Sequence, residues 1–356
     1  MYRIAIVGAS SLAGKELADE LGESLLAASD ITLLDDEEIA GEIAGQVAAI
    51  GDEAAVIQTI DASSFERMDF VFFAGTPATT LKHWGAARLA GASIVDMSYA
   101  LEGEPGVQVR APFVRAAMGK KPAERHLDFA TVAVVSAAPA AVMLALVAER
   151  IQAKLPLRNP HGLAATILEP ASEHGREAMD ELHQQTVNLL SFQNLPREQY
   201  DAQVAFNVLP ALGESAKVNL GDAAARIARH YSLIAAQLPA LEAQVVHGPV
   251  FHGYVASVLL ELERDATVAE IEAALEGEGL DVVSEDSDPP SNLSAAGQED
   301  IMVLVRPARS EQDAAGDVPG RRFWLWLAAD NLKLAALNAI ACANDLKRVR
   351  PRGTVQ

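Results

Sequence analysis

Three short stretches of this 356-residue chain hold groups that could do chemistry. The first is "GASSLAG", Gly8 to Gly14, which follows an apolar run and opens a helical pattern. A glycine turn in that setting lets backbone N–H groups approach a diphosphate while the helix N-terminus faces the negative charge. Ser10 stands where the G-x-G-x-x-G pattern has its middle glycine, so a merely structural tight turn is the alternative. The second is "LLDDEE", about twenty residues on. Asp35 or Asp36 could there accept hydrogen bonds from both hydroxyls of an adenosine ribose, and its charge would repel a 2′-phosphate. That favours NAD over NADP; the bland alternative is a solvated acidic loop. The third is "VVSAAPAAVMLAL", Val134 to Leu146, a strand end, a tight junction and a helix start with Pro139 near its first turn. Free helix amides make such a junction a natural place for a nucleophile, yet it offers only alanine, proline and Ser136.

The elements that must position these groups are legible in the hydrophobic pattern. "YRIAIVG", "DITLLDD", "MDFVFFAG", "ASIVDMS" and "ATVAVVSAA" are short apolar runs separated by helical spacing, as parallel strands buried on both faces require. The spacing predicts an α/β, Rossmann-type doubly wound parallel sheet. From about His161 the texture changes. "HGLAATILEPAS" reads as a strand, Glu173 to Gln193 and Ser215 to about Ala236 as helices, and "VVHGPVFHGYVASVLLELE" as one strand-like run. This predicts an α+β second domain, followed by a closing helix in "DNLKLAALNAIACANDLKRV".

Bulk numbers narrow the function classes. The formal net charge is −21, which argues against nucleic acid and anionic membrane surfaces as partners. The apolar stretch from Thr131 to Ala148 is broken by Ser136 and Pro139 and reads as strand plus buried helix rather than a membrane span. The single cysteine, Cys342, permits no intrachain disulfide and fits a cytoplasmic location. It lies on an apolar helix stripe, where a small buried side chain is the expected role. The histidines show no metal-ligand spacing, so no metal is expected.

Taken together, "IAIVGASSLAGKEL", "VFFAGTP", "IVDMS", "AFNVLPALGE" and "DNLKLAALNAI" resemble, in order and spacing, the aspartate-semialdehyde dehydrogenase family. The resemblance spans essentially the whole chain. It implies a dinucleotide-binding domain over 1–138 with 330–356, a substrate and dimerisation domain over 139–329, and a homodimer. It also implies cofactor contacts at Gly8, Ser10, Ser11, Leu12, Gly14, Asp35, Ala74, Gly75, Thr76 and Asn331. Family members work through a thioester on a cysteine, assisted by a glutamine, a histidine and substrate-holding arginines.

Carried over residue by residue, that machinery is missing here. The resemblance puts Ala141 at the cysteine's place, Glu169 at the glutamine's and Tyr254 at the histidine's. The arginine places fall on His247 and near Glu102, and an arginine that would hold an NADP 2′-phosphate falls at about Glu37. Glu214 and Lys217, expected three apart on a helix, match a remnant of the substrate pocket. Alanine forms no thioester, so the expectation is a catalytically degenerate homologue that retains NAD binding and dimerisation. The alternatives are an oxidoreductase on another aldehyde or alcohol, with Tyr254, Glu169 or His247 as acid–base groups, and aspartate-semialdehyde dehydrogenase activity proper.

Overall fold

A computed structural model describes residues 2–24, 26, 30–36, 47–50, 53–61, 63–119, 132–284, 286–308 and 319–349. The chain divides into two compact units, Met1–Ala137 with Ala335–Gln356, and Ala138–Leu334.

In the first unit, alternation along each strand builds two separate apolar layers. Its strands are β1 (Arg3–Val7), β2 (Asp30–Asp35), β3 (Val47–Ile50), β4 (Glu53–Val56), β5 (Gln58–Thr59), β6 (Phe70–Phe73), β7 (Ser93–Asp96), β8 (Gln108–Arg110) and β9 (Ala133–Ser136). Seven of them form one sheet in the order β5-β2-β1-β6-β7-β9-β8, with every pairing parallel. Ile4 and Ile6 pack on one side with Leu17 and Leu21 of α1 (Leu12–Glu23) and with Ala339, Ala343 and Leu346. Ala5 and Val7 pack on the other with Phe73, Ile94, Leu101 and Ala87 of α2 (Pro77–Leu89). A short α3 (Pro112–Ala117) precedes β9. The five apolar runs read as parallel strands are β1, β2, β6, β7 and β9, and the doubly wound sheet is present.

The strand order reverses direction at β1, which lies between β2 and β6. In open α/β sheets, ligands bind beyond the carboxyl ends of strands at such a point. Here those ends are the Gly8 turn and the Ala74–Gly75 turn.

The second unit opens with α4 (Pro139–Lys154), whose residues Pro139 to Ala148 are all buried. Its strands β10 (Leu163–Glu169), β11 (Leu241–His247), β12 (Tyr254–Ala266), β13 (Leu280–Val282), β14 (Ile301–Pro307) and β15 (Gly320–Ala329) form a mixed sheet in the order β11-β10-β12-β15-β14-β13. Helices α5 (Arg176–Leu190), α6 (Leu220–Ile234), α7 (Val268–Leu275) and α8 (Asn292–Ala295) lie between the strands in sequence, and α9 (Asn331–Val349) closes the chain. Alternation along β10 and over the middle of β15 buries Ile167, Phe323, Leu325 and Leu327 and leaves Thr166, Trp324 and Trp326 on the other face.

Three sequence expectations need correction. The run read as one strand is two, β11 and β12, parted by a loop in which Gly253 takes φ +84° and packs against the Asn292 backbone. The helix expected from Glu173 starts at Arg176, because Gly175 at φ +84° ends a 3-10 turn over Ala171–His174. The helix expected from Ser215 starts at Leu220, where the Asn219 side chain caps the amides of Gly221 and Asp222.

The close approach of β1 to β6 sets a testable constraint. A Cβ on Gly8 would sit 2.3 Å from the Gly75 backbone, and Gly8 has φ +83°. Gly8→Ala is therefore expected to cost about 2 kcal/mol or more, through both strain and overlap. The urea midpoint of the variant against the parent measures it, and an unchanged midpoint would contradict the packing described.

Candidate functional site

The glycine turn gathers most of the residues that the sequence assigns to cofactor binding. Gly8 N–H donates to Leu34 O at 2.9 Å and Ser11 N–H to Gly8 O at 3.0 Å, which folds the chain back over the ends of β1 and β2. Ser11 caps α1: its hydroxyl accepts from Gly14 N–H and donates to Ala74 O, both at 2.8 Å. A Cβ on Gly14 would meet Gly8 O at 2.2 Å, so glycine at this position is needed for close helix–turn packing. On the β6 side, Thr76 caps α2 by accepting from Thr79 N–H. Gly8, Ser10, Ser11, Leu12, Gly14, Ala74, Gly75 and Thr76 thus lie on two facing turns.

Asp35 plays a different part from the one its spacing suggested. It is 1% exposed, and its Oδ2 accepts from Ser10 N–H at 2.8 Å. It points inward and ties down the turn, so it is not available to a ribose. Burial pushes its pKa up against the pull of those Ser10 hydrogen bonds. Asp36, the first residue past β2, is the more accessible acid, with 15% of its side chain exposed. Lys82 Nζ (2.6 Å), His83 Nε2 (2.8 Å) and Thr79 Oγ1 (2.8 Å) surround its carboxylate. Partial burial works against its charge, but these three bonds outweigh it and hold the pKa down at about 2. Glu37 lies outside the described residues.

In the second unit, strand register assembles a polar row. His247 and Glu169 are Cα partners on the parallel pair β11 and β10. Leu168 pairs with Val255 on the antiparallel β12, so Glu169 lies one residue past that last pair, beside the start of β12 at Tyr254. His247, Glu169 and Tyr254 are therefore neighbours across three strands, and each is at most 1% exposed.

Two further groups come from the 3-10 turn after β10. His174 Nε2 lies 2.8 Å from Glu169 Oε2. Burial disfavours the charged ring, but the Glu169 hydrogen bond and the charges of Glu169 and Glu173 outweigh it and raise its pKa. Glu173 is pushed up to about 7, by burial first and the Glu169 charge second, while hydrogen bonds from Tyr254 and Asn331 pull the other way. Spacing alone did not mark His174 or Glu173 as functional. The available signal was "EPASEH": a proline one residue past a buried acid starts a tight turn, which brings a histidine five residues on back to that acid.

Other expected residues are placed differently. Asn331 is fully buried and engaged within the second unit: its Oδ1 accepts from Ser172 Oγ and Gly253 N–H, and its Nδ2 donates to Glu173. Glu214 and Lys217 lie in turns before α6 rather than on a helix, both exposed, and the acid near Lys217 is Glu177 at 3.7 Å. Ala141 is completely buried in the first turn of α4. At that helix start, Ala138 N–H donates to His230 Nδ1 at 2.9 Å. Cys342 is buried with its thiol pKa pushed up, first by burial. Among the described residues, no group of three or more His, Cys, Asp and Glu side chains is arranged to hold a metal ion.

The acid–imidazole cluster makes stability depend on pH with a definite sign. Glu173 has a folded pKa near 7, above its ordinary 4.5. Its contribution is full below about pH 4.5 and is lost as pH rises through about 7. His174, also raised, loses its contribution as pH rises past 6.5 and through its folded value. Glu173→Gln removes the first of these. The stability of the parent relative to this variant should fall between about pH 5 and 8 in urea titrations; a flat or rising difference would refute the assignment.

Comparison with known proteins follows the same division. Residues 3–121 match the family described as semialdehyde dehydrogenase, NAD binding domain, and residues 157–333 the semialdehyde dehydrogenase, dimerisation domain. A USG-1 protein homolog of Azotobacter vinelandii is 31% identical over 347 residues, covering 96% of this chain and 97% of that one. The aspartate-semialdehyde dehydrogenase of Bacillus subtilis is 26% identical over 363 residues, covering 97% of each. A solved Pseudomonas aeruginosa structure, described as a probable aspartate-semialdehyde dehydrogenase, superposes with a TM-score of 0.79 at 26% identity, covering 98% of both chains. With both domain matches in their expected order along one chain, this protein belongs to the semialdehyde dehydrogenase family.

Proposed function

We propose that this chain is a family member that has given up the thioester reaction and keeps a dinucleotide site and a homodimeric second unit. The observation that carries this reading is Ala141. Where the resemblance puts a nucleophilic cysteine, the chain has a methyl group with no exposed surface, and the amide at the helix start is already bonded to His230. The changes in the polar row agree in kind. Glu169 stands for an amide, Tyr254 for an imidazole and His247 for a guanidinium, so the orienting group, the proton carrier and an anion clamp have all changed chemistry. A phosphorylating dehydrogenase assay with aspartate semialdehyde and either NAD or NADP is expected to show no turnover. Clear turnover by this cysteine-free site would overturn the reading.

The glycine turn fits a dinucleotide. Ser11 occupies the Gly14 amide, while the amides of Leu12 and Ala13, the first two helical positions, have no acceptor within their own helix. Those amides would hold the diphosphate, and Asp36 would meet the adenosine ribose. Its charge favours NAD over NADP. Asp36→Ala should weaken NAD binding about tenfold and narrow the preference over NADP, as followed by calorimetric titration. An unchanged preference would remove Asp36 from the site.

The homodimer is supported by the match to a dimerisation domain and by Trp324 and Trp326, 45% and 38% exposed on one face of the second sheet. A second copy of the chain would cover them; a monomer in sedimentation would remove this part of the proposal. The alternative of an active oxidoreductase gains one supporting observation, the hydrogen bond between Tyr254 and a Glu173 that titrates near neutrality. It requires cofactor reduction with some alcohol or aldehyde, abolished by Tyr254→Phe.

A further inference from the structure

Asp36 is engaged by three donors from one helix. Thr79, Lys82 and His83 stand at i, i+3 and i+4 along α2 and so share a face of it. Thr79 Oγ1 donates to Asp36 Oδ2, while Lys82 Nζ and His83 Nε2 both meet Oδ1. The sequence signal is "TTLKH", a hydroxyl followed at helical spacing by two basic groups.

The three differ in how firmly they are held. Thr79 is buried and lies 3.1 Å from the Thr76 hydroxyl at the start of the helix. The His83 side chain is mostly buried, with the Phe65 ring beside it. Lys82 brings its ammonium to 2.6 Å from Asp36 while 63% of its side chain meets solvent, on a flexible four-carbon stem. Its head can leave the carboxylate at little cost, because an exposed ion pair contributes little.

We infer that Lys82 sets the balance between NAD and NADP, opposing the preference that Asp36 alone would give. On the dinucleotide reading above, on which this rests, the two ligands put opposite demands on one ion pair. A ribose diol brings two O–H donors, and at Oδ1 it competes with the ammonium already there. A 2′-phosphate brings acceptor oxygens and negative charge, which a lone carboxylate repels. With Lys82 beside it the pair carries no net charge, and an ammonium with three N–H groups can serve the carboxylate and a phosphate oxygen together. Lys82 therefore works against the ligand without the phosphate and for the ligand with it. Thr79 and His83, more deeply set, keep the carboxylate in place in either case.

Calorimetric titration of NAD and of NADP into the full-length parent, Lys82→Met and Lys82→Arg tests this. The parent should bind the two within about tenfold of each other, since its ion pair is neutral. Lys82→Met keeps the stem and removes the charge at an exposed position. It should tighten NAD about two- to fivefold, as the carboxylate is released, and weaken NADP about tenfold, as the phosphate loses its cation. A merely structural loss would weaken both. Lys82→Arg keeps the charge and should hold NADP within about threefold of the parent or tighter. A ratio that Lys82→Met moves less than about threefold, both cofactors weakened alike, or a parent that binds only one of them would overturn the role of Lys82 and leave the dinucleotide site standing. A parent that binds neither removes the dinucleotide site and the role of Lys82 with it.

Discussion

A carboxylate with almost no exposed surface must find a cation or several donors, and Glu169 sits in that position at the end of β10. The second unit's polar chemistry follows from how this need is met. His174 reaches it only because Pro170 starts a 3-10 turn and Gly175 then takes a positive φ that releases the chain into α5. The same turn carries Glu173 towards Tyr254 and Asn331. Removing His174 would leave the buried Glu169 carboxyl without its hydrogen-bond partner, which is more costly than losing an exposed pair. The cluster thus behaves as a unit: acid, imidazole, second acid, phenol and amide each make sense only with the others in place.

The first unit depends on a different constraint, backbone proximity. Gly8 and Gly14 allow turn, helix and neighbouring strand to approach at distances that a methyl group would forbid, and a methyl at Gly75 would be tight at 3.1 Å from Gly8. Asp35 then secures the turn from beneath through the Ser10 amide. The familiar glycine pattern is incomplete here, since position 10 is serine, yet its amide is used all the same. What the middle position supplies in this chain is an N–H directed at a buried acid, and that does not require glycine.

Much of this was legible in the sequence because it rests on periodicity. Strands buried on both faces read as short apolar runs, and the glycine that ends the first of them is visible in "IAIVG". The row His247–Glu169–Tyr254 was reached residue by residue through the family resemblance, and strand register brings the three together. What the sequence did not disclose are features decided by a single residue's side or by tertiary partners. Asp35 and Asp36 are adjacent, and only the fold decides which of them is buried. The role of His174 is not marked by spacing, because its partner lies five residues back across a turn. Glu214 and Lys217 carried helical spacing, but Asn219 caps α6 after them, and a cap overrides spacing. Asn331 matched a cofactor contact by phrase, while its actual neighbours, Ser172, Gly253 and Glu173, come from segments about 80 and 160 residues away in sequence.

The start of α4 is where the proposed loss of a nucleophile has to be accommodated. A helix N-terminus concentrates unpaired amides and partial positive charge, and a thiolate there would be stabilised by both. With alanine at 138, 140 and 141 no side chain in this turn can answer those amides, and Ala138 offers no capping group. Pro139 removes one donor outright by having no N–H. His230, buried on α6, supplies an acceptor to Ala138 N–H at 2.9 Å, which requires that its Nδ1 carry no proton. The helix start is thereby satisfied by a neutral group in an apolar setting instead of by an anion. Restoring a cysteine at position 141 alone would place a thiol where no space is exposed and where one amide is already bonded, so it would not by itself recreate an activated nucleophile. The altered row and the satisfied helix start are two separate features on which the proposed loss of thioester chemistry rests.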